Sequence, residues 1–208
     1  ISEFLGGCTH TELAGYLYQI KLHPQREYIP ILRDLYADQS VEYVSGLCLV
    51  ALTKCGEEDI FSIIEEKLND LSGECASYYL EALAIAKDKR LVPILIEQLR
   101  GPNCAVAVDL LVEQGPSVIE ALKKGLDSQD LQVKAAIAIT LNLLGEKASV
   151  VPVVQYLNSD KVVYGFCYRA ATALTQCQDD VAAVGIVLSG LLTKDTPLTY
   201  DQKEVLSA

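Results

Sequence analysis

The sequence predicts an all-α fold, an α-solenoid built from about five to six stacked helical hairpins. Three observations predict it. The first is one well-bounded stretch, Asp130 to Gly145, reading DLQVKAAIAITLNLLG. Asp130 can accept an unpaired N–H of the first turn, and Gly145 can take the left-handed conformation that ends a helix. Between them Val133, Ala136, Ile137, Leu141 and Leu144 share one face at helical spacing. The second observation is that this pattern returns with starts at Val41, Ser72, Arg100, Asp130 and Asp160, in steps of 31, 28, 30 and 30 residues. The third is that a shorter apolar helix precedes each copy. A lone hairpin of this kind cannot bury its apolar face, so neighbours must stack.

In chain order, residues 1–27 form a lead-in with a capping helix. Thr9 and Glu12 have capping-box spacing, followed by Leu13, Tyr16, Leu17 and Ile20 on one face. Residues 28–180 hold five repeats. Their first helices begin near Ile29, Ile60, Val92, Val118 and Val151, with Pro30, Pro93 and Pro152 at helix starts, where a missing N–H costs little. The second helices carry Leu52, Leu83, Leu111, Leu141 and Ala171 eleven positions after each start. A small residue sits at position five (Gly46, Ser77, Ala105, Ala135, Gly165), and a glycine at position fifteen in three copies: Gly56, Gly115 and Gly145. Ser72 is expected to cap the second copy. Residues 181–208 break the pattern and read as a C-terminal cap or a partial repeat. The whole is expected to be a single repeat domain. A chain that opens on Ile1 and holds no methionine reads as a fragment or a processed form.

The segments VPILIEQL and SVIEALKKGLDSQDLQVKAAIAITLNLLGEKAS resemble HEAT-like repeats of the short phycobilisome-lyase type. The shared pattern is a proline-led first helix, an aspartate, valine–arginine, an alanine-rich run, a leucine and a closing glycine. The likeness covers roughly Tyr28 to Asp180 and is strongest over Val118 to Ser149. It implies a right-handed αα superhelix whose second helices line a concave side. The family's arginine position holds Ser45, Ala76, Cys104, Lys134 and Tyr164, so only Lys134 keeps the charge.

On those second helices, positions two, five, nine and twelve are expected to avoid the core. Position nine reads Val50, Glu81, Asp109, Ile139 and Arg169; position two reads Tyr43, Glu74, Pro102, Gln132 and Val162. The expected partner-binding face is therefore Tyr43, Glu74, Glu81, Asp109, Ile139 and Arg169, joined by Tyr164 and Tyr168. Its middle is acidic and Arg169 lies near one end. Val50 and Ile139 would be apolar residues in an exposed row, which marks a binding surface. The small row at position five would let a ligand approach the backbone. The plain alternative is a set of solvated helix faces, which carry charge by default.

Composition narrows the partner. Lys and Arg number 17 against 28 Asp and Glu, a net charge of −11. That balance disfavours nucleic acid and anionic membrane surfaces, both of which reward a basic face. The seven cysteines include no Cys-x-x-Cys pair. Cys48, Cys55, Cys75 and Cys167 fall at core-facing positions, where free cysteine acts as a small hydrophobe. This points to a reducing, cytoplasmic setting.

No catalytic residue, metal site or cofactor is expected. His10 and His23 lie outside the repeats, and no His-Glu dipeptide or phosphate-binding glycine loop occurs. Glu81 and Asp109 are the one carboxylate pair that adjacent repeats would juxtapose, with nothing else nearby to make a pocket. The expected function is a non-enzymatic scaffold that binds a protein, one with a basic segment, along its concave face. The resemblance alone implies the alternative, a bilin lyase or chromophore-handling subunit.

Overall fold

A computed structural model of the chain describes residues 8–38, 41–63, 75–88, 90–159, 162 and 166–176. All regular structure among these residues is helical. The Ser72 cap, Glu74, Tyr164 and the 181–208 segment lie outside the described residues, as do the side chains of Cys167 and Tyr168. The helices gather into two compact units, Ile1–Leu91 and Val92–Ala208.

In the first unit α1 spans His10–Leu22, α2 Ile29–Asp38, α3 Glu42–Lys54 and α4 Ala76–Ala86. The capping box at the start of α1 is present: Thr9 Oγ1 accepts from the Glu12 amide, and the Glu12 carboxylate accepts from the Thr9 amide at 2.8 Å. Leu13 and Leu17 carry α1 into the core. α3 is the hub, because α1, α2 and α4 all pack on it. Nine of its thirteen residues are buried, from Val44 to Thr53. A helix with neighbours on three sides needs apolar residues nearly all round, which is why EYVSGLCLVALTK has little polar face.

The second unit is built alike. α5 begins at the boundary and spans Leu91–Gln98; α6 is Cys104–Glu113, α7 Ile119–Gly125, α8 Leu131–Leu143, α9 Val151–Leu157 and α10 Phe166–Gln176. Here α8 is the hub, with α6, α7, α9 and α10 around it, and nine of its thirteen residues are buried. Asp130 caps it as expected, its carboxylate accepting from the amides of Gln132 and Val133. Phe166 and Tyr156 meet edge to face, ring centroids 4.6 Å apart, which ties α10 to α9.

Three hub and flanking helices end in one motif. The amides of Glu57, Asp88 and Glu146 each return to the carbonyl five residues back, on Leu52, Leu83 and Leu141. The residue between lies in the left-handed region: Gly56 (φ 93°), Lys87 (φ 54°) and Gly145 (φ 82°). This is the closure by which a helix satisfies its last carbonyls. The leucine at position eleven thus does two jobs, packing with its side chain and accepting with its backbone. Gly115 (φ 68°) has the same conformation, but Pro116 follows it and has no N–H to return.

The acidic residue after each closure is then paired. The Glu57 carboxylate is buried and accepts from Arg33 Nε at 2.6 Å and Nη2 at 2.8 Å. Asp88 holds Arg90, whose guanidinium also lies 3.3 Å over the centre of the Phe61 ring. Glu146 meets Lys123 at 3.0 Å. Arg33 and Lys123 stand on the first helices of their hairpins, so each pair fastens a first helix to the end of its second.

The described cysteines are unbridged, with Cys48, Cys55, Cys75 and Cys104 buried. Burial pushes the Cys48 and Cys104 thiols up to about 12, so neither is a nucleophile at neutral pH. No helix among the described residues is long and apolar enough to cross a membrane.

Candidate functional site

The face expected to bind a partner is organised by pairing. Arg169 on α10 donates from Nε to Asp109 Oδ1 at 2.5 Å and from Nη2 to Oδ2, a two-pronged contact with α6. The Asp109 side chain is half exposed and that of Arg169 one-fifth exposed. In the first unit Lys21 on α1 donates to Glu81 Oε1 on α4 at 2.6 Å. Both pairs span 60 residues, two repeat lengths. Both join helices that flank a common hub, α3 for one and α8 for the other.

The expectation that position nine avoids the core holds for the charged members and fails for the apolar ones. Ile139 and Val50 are fully buried. The reason is the closeness of the flanking helices. In the second unit α6 and α10 meet each other directly as well as meeting α8. The hub therefore has no open strip at Ile139. Ile139 is a core residue, and the apolar patch expected there is absent from the surface.

Position five is likewise closed. Gly46 is buried, and a Cβ built on it would stand 2.7–2.9 Å from the Tyr78 side chain on α4. Ala105 and Ala135 are buried too. At Gly46 a small residue is needed because α4 packs on it, and Gly46, Ala105 and Ala135 offer no path for a ligand to the backbone, whereas Ser77 is half-buried. At position two, Tyr43 is half-buried. Gln132 is fully engaged: Nε2 donates to the carbonyls of Leu99 (2.9 Å) and Gly101 (3.1 Å), while Oε1 accepts from the Tyr156 hydroxyl (3.0 Å).

The carboxylates of Glu81 and Asp109 thus each hold a cation of their own unit. Among the described residues no group of three or more His, Cys, Asp or Glu side chains is placed to hold a metal. The partner that sequence reasoning missed is Lys21. Its signal was present: it lies 29 residues before Val50, so it continues the position-nine row by one repeat into the lead-in helix.

The second unit has a further surface feature. An open cleft of about 730 Å³ runs between α5 and α7 to the start of α8, lined by Pro93, Ile96, Arg100, Lys124, Gln129 and Asp130 among others. Its lining carries two acidic and two basic side chains, Glu97, Arg100, Lys124 and Asp130, and the Asp130 carboxylate caps α8. No family model matches the chain, and no curated protein or solved structure matches it.

Proposed function

We propose that the chain is a HEAT-like α-solenoid acting as a non-enzymatic scaffold, and that it docks a protein through the charged pairs of its units, Lys21–Glu81 in the first and Asp109–Arg169 in the second. The observation that carries this reading is the recurrence of one hairpin design. Three second helices, α3, α4 and α8, close with a left-handed residue and a returning amide, and each unit carries one charged pair at the same register position. Stacked units of this kind present extended, gently varying surfaces suited to protein partners. Paired, partly exposed charges suit a partner that exchanges ion pairs with them, and the net charge of −11 favours one with a basic segment.

The test is affinity capture from native cell extract at low and moderate salt, with the folded chain and a Glu81→Ala/Asp109→Ala/Arg169→Ala variant as baits. Exposed ion pairs contribute modestly to stability, so the variant is expected to stay folded by circular dichroism. Loss of one salt-sensitive partner from the variant supports the assignment. Equal recovery by both baits removes these pairs from consideration. Recovery of a coloured small molecule in place of protein moves the reading to chromophore handling.

A further inference from the structure

We infer that Asp109–Arg169 and Lys21–Glu81 are latches: each ties two helices together across a shared hub helix, and breaking the pair loosens the inner face of its unit. Three observations meet here. The pairs repeat at the same sequence separation in both units, although one runs cation first and the other anion first. Each crosses a hub whose residue in the same register row, Val50 or Ile139, is apolar and fully covered. And the helices that the second latch joins, α6 and α10, touch directly.

Packed helices stand about 8–10 Å apart, so two helices flanking a third in a flat row would stand about twice that distance apart. Direct contact between α6 and α10 means that the second unit is closed over α8 on this face. The fork of the Arg169 guanidinium on both oxygens of Asp109 holds that closure with defined geometry. The latch is weak enough to switch. Exposed ion pairs are screened by salt, and Asp109 is open to solvent and to a competing cation. A cationic side chain of a partner that takes Asp109 or Glu81 from its internal mate would open the face it binds. That last consequence rests on the proposed function; the latch itself rests on the folded chain alone.

Hydrogen–deuterium exchange of the isolated chain tests it, with no partner present. Asp109→Asn should speed amide exchange in α10 about five-fold and leave α1 and α4 unchanged. Glu81→Gln should do the reverse, acting on α1 and α4 alone. In the unaltered protein, 1 M NaCl should speed exchange in α10, and Asp109→Asn should abolish that salt response. Unchanged α10 exchange in Asp109→Asn overturns the inference. So does acceleration with the salt response intact, because that is general loosening and not release of a latch. Since no partner enters the experiment, its failure is distinct from failure of the docking assignment.

Discussion

Gly46 on α3 receives the ring of Tyr78 on α4 so closely that a Cβ at position 46 would lie 2.7 Å from Tyr78 Cδ2 and 2.8 Å from its Cβ. The near atoms include the root of the tyrosine side chain, which cannot swing aside without moving α4. Gly46→Ala therefore sets two terms against each other. Alanine is worth about 1 kcal/mol over glycine inside a helix. Overpacking a filled contact costs typically about 1–3 kcal/mol. The clash should win, lowering the urea midpoint of unfolding. Adding Tyr78→Gly, which removes the Cβ along with the ring, should relieve the cost of Gly46→Ala, a coupling that a double-mutant cycle reads directly.

Lys87 supplies the opposite case. It occupies the place that Gly56 and Gly145 hold in their repeats, and it alone among the described non-glycine residues has positive φ. A side chain in the left-handed region costs about 1–2 kcal/mol. Lys87→Gly should raise stability by about 1 kcal/mol, and the reciprocal Gly145→Ala should lower it by a similar amount. Nothing lies within 4 Å of a Cβ at Gly145, so packing does not confuse that measurement. Thermal or urea unfolding of the two variants checks both signs.

These two residues also show how far the sequence reached. The position-fifteen row was legible because a left-handed helix stop favours glycine strongly enough to leave a repeating letter, and Lys87 was hidden because lysine can be forced into the same place. Caps were legible for a similar reason: Asp130 and the Thr9–Glu12 box act locally, within three residues. What the sequence did not disclose was the closeness of helices two apart. Val50 and Ile139 belong to the same row as Glu81, Asp109 and Arg169, and periodicity alone assigns one environment to a row. Only the meeting of α6 and α10 separates the covered member from the charged ones in the second unit. Tyr43 stays half-buried, and no motif announces a ligand, so function is the least legible layer.

Gln132 is where three segments of the second unit converge. Its amide bridges the carbonyls of Leu99 and Gly101, in the turn between α5 and α6, to the hydroxyl of Tyr156 on α9. Gln132→Leu keeps the bulk and takes the side-chain donor from the Leu99 carbonyl, while the Gly101 carbonyl still accepts from the Cys104 amide, at about 1–3 kcal/mol. Tyr156→Phe removes the neutral hydrogen bond to Gln132 and should cost about 1 kcal/mol. Gln132→Glu should be the worst of the three at neutral pH, because it turns a carboxylate toward the same carbonyls, and it should recover as the pH falls. Unfolding curves at pH 7 and pH 5 order the three variants.

Glu57 makes the acid limb of the stability profile. Hydrogen bonds from Arg33 hold its carboxyl below the ordinary value of 4.5, against a burial that alone would raise it. A carboxyl depressed in the folded state binds fewer protons there than in the unfolded chain. Its stabilising contribution is therefore complete above about pH 4.5 and is lost as pH falls through the depressed folded value. Asp88 and Asp59 are also lowered, by Arg90 and by Ser62 respectively, and titrate in the same direction at a more exposed position. Arg33→Met keeps the aliphatic stem and removes the largest cause of the depression, so the Glu57 carboxyl should rise toward the ordinary value, with burial opposed by the backbone amides of Asp59 and Glu58 alone. The unaltered protein should lose stability only below about pH 4.5, whereas Arg33→Met should be less stable at pH 7 and gain relative to it on acidification. Urea midpoints between pH 3.5 and pH 7 measure this crossing. Parallel profiles for the two proteins would mean that Arg33 contributes nothing to the ionisation of Glu57.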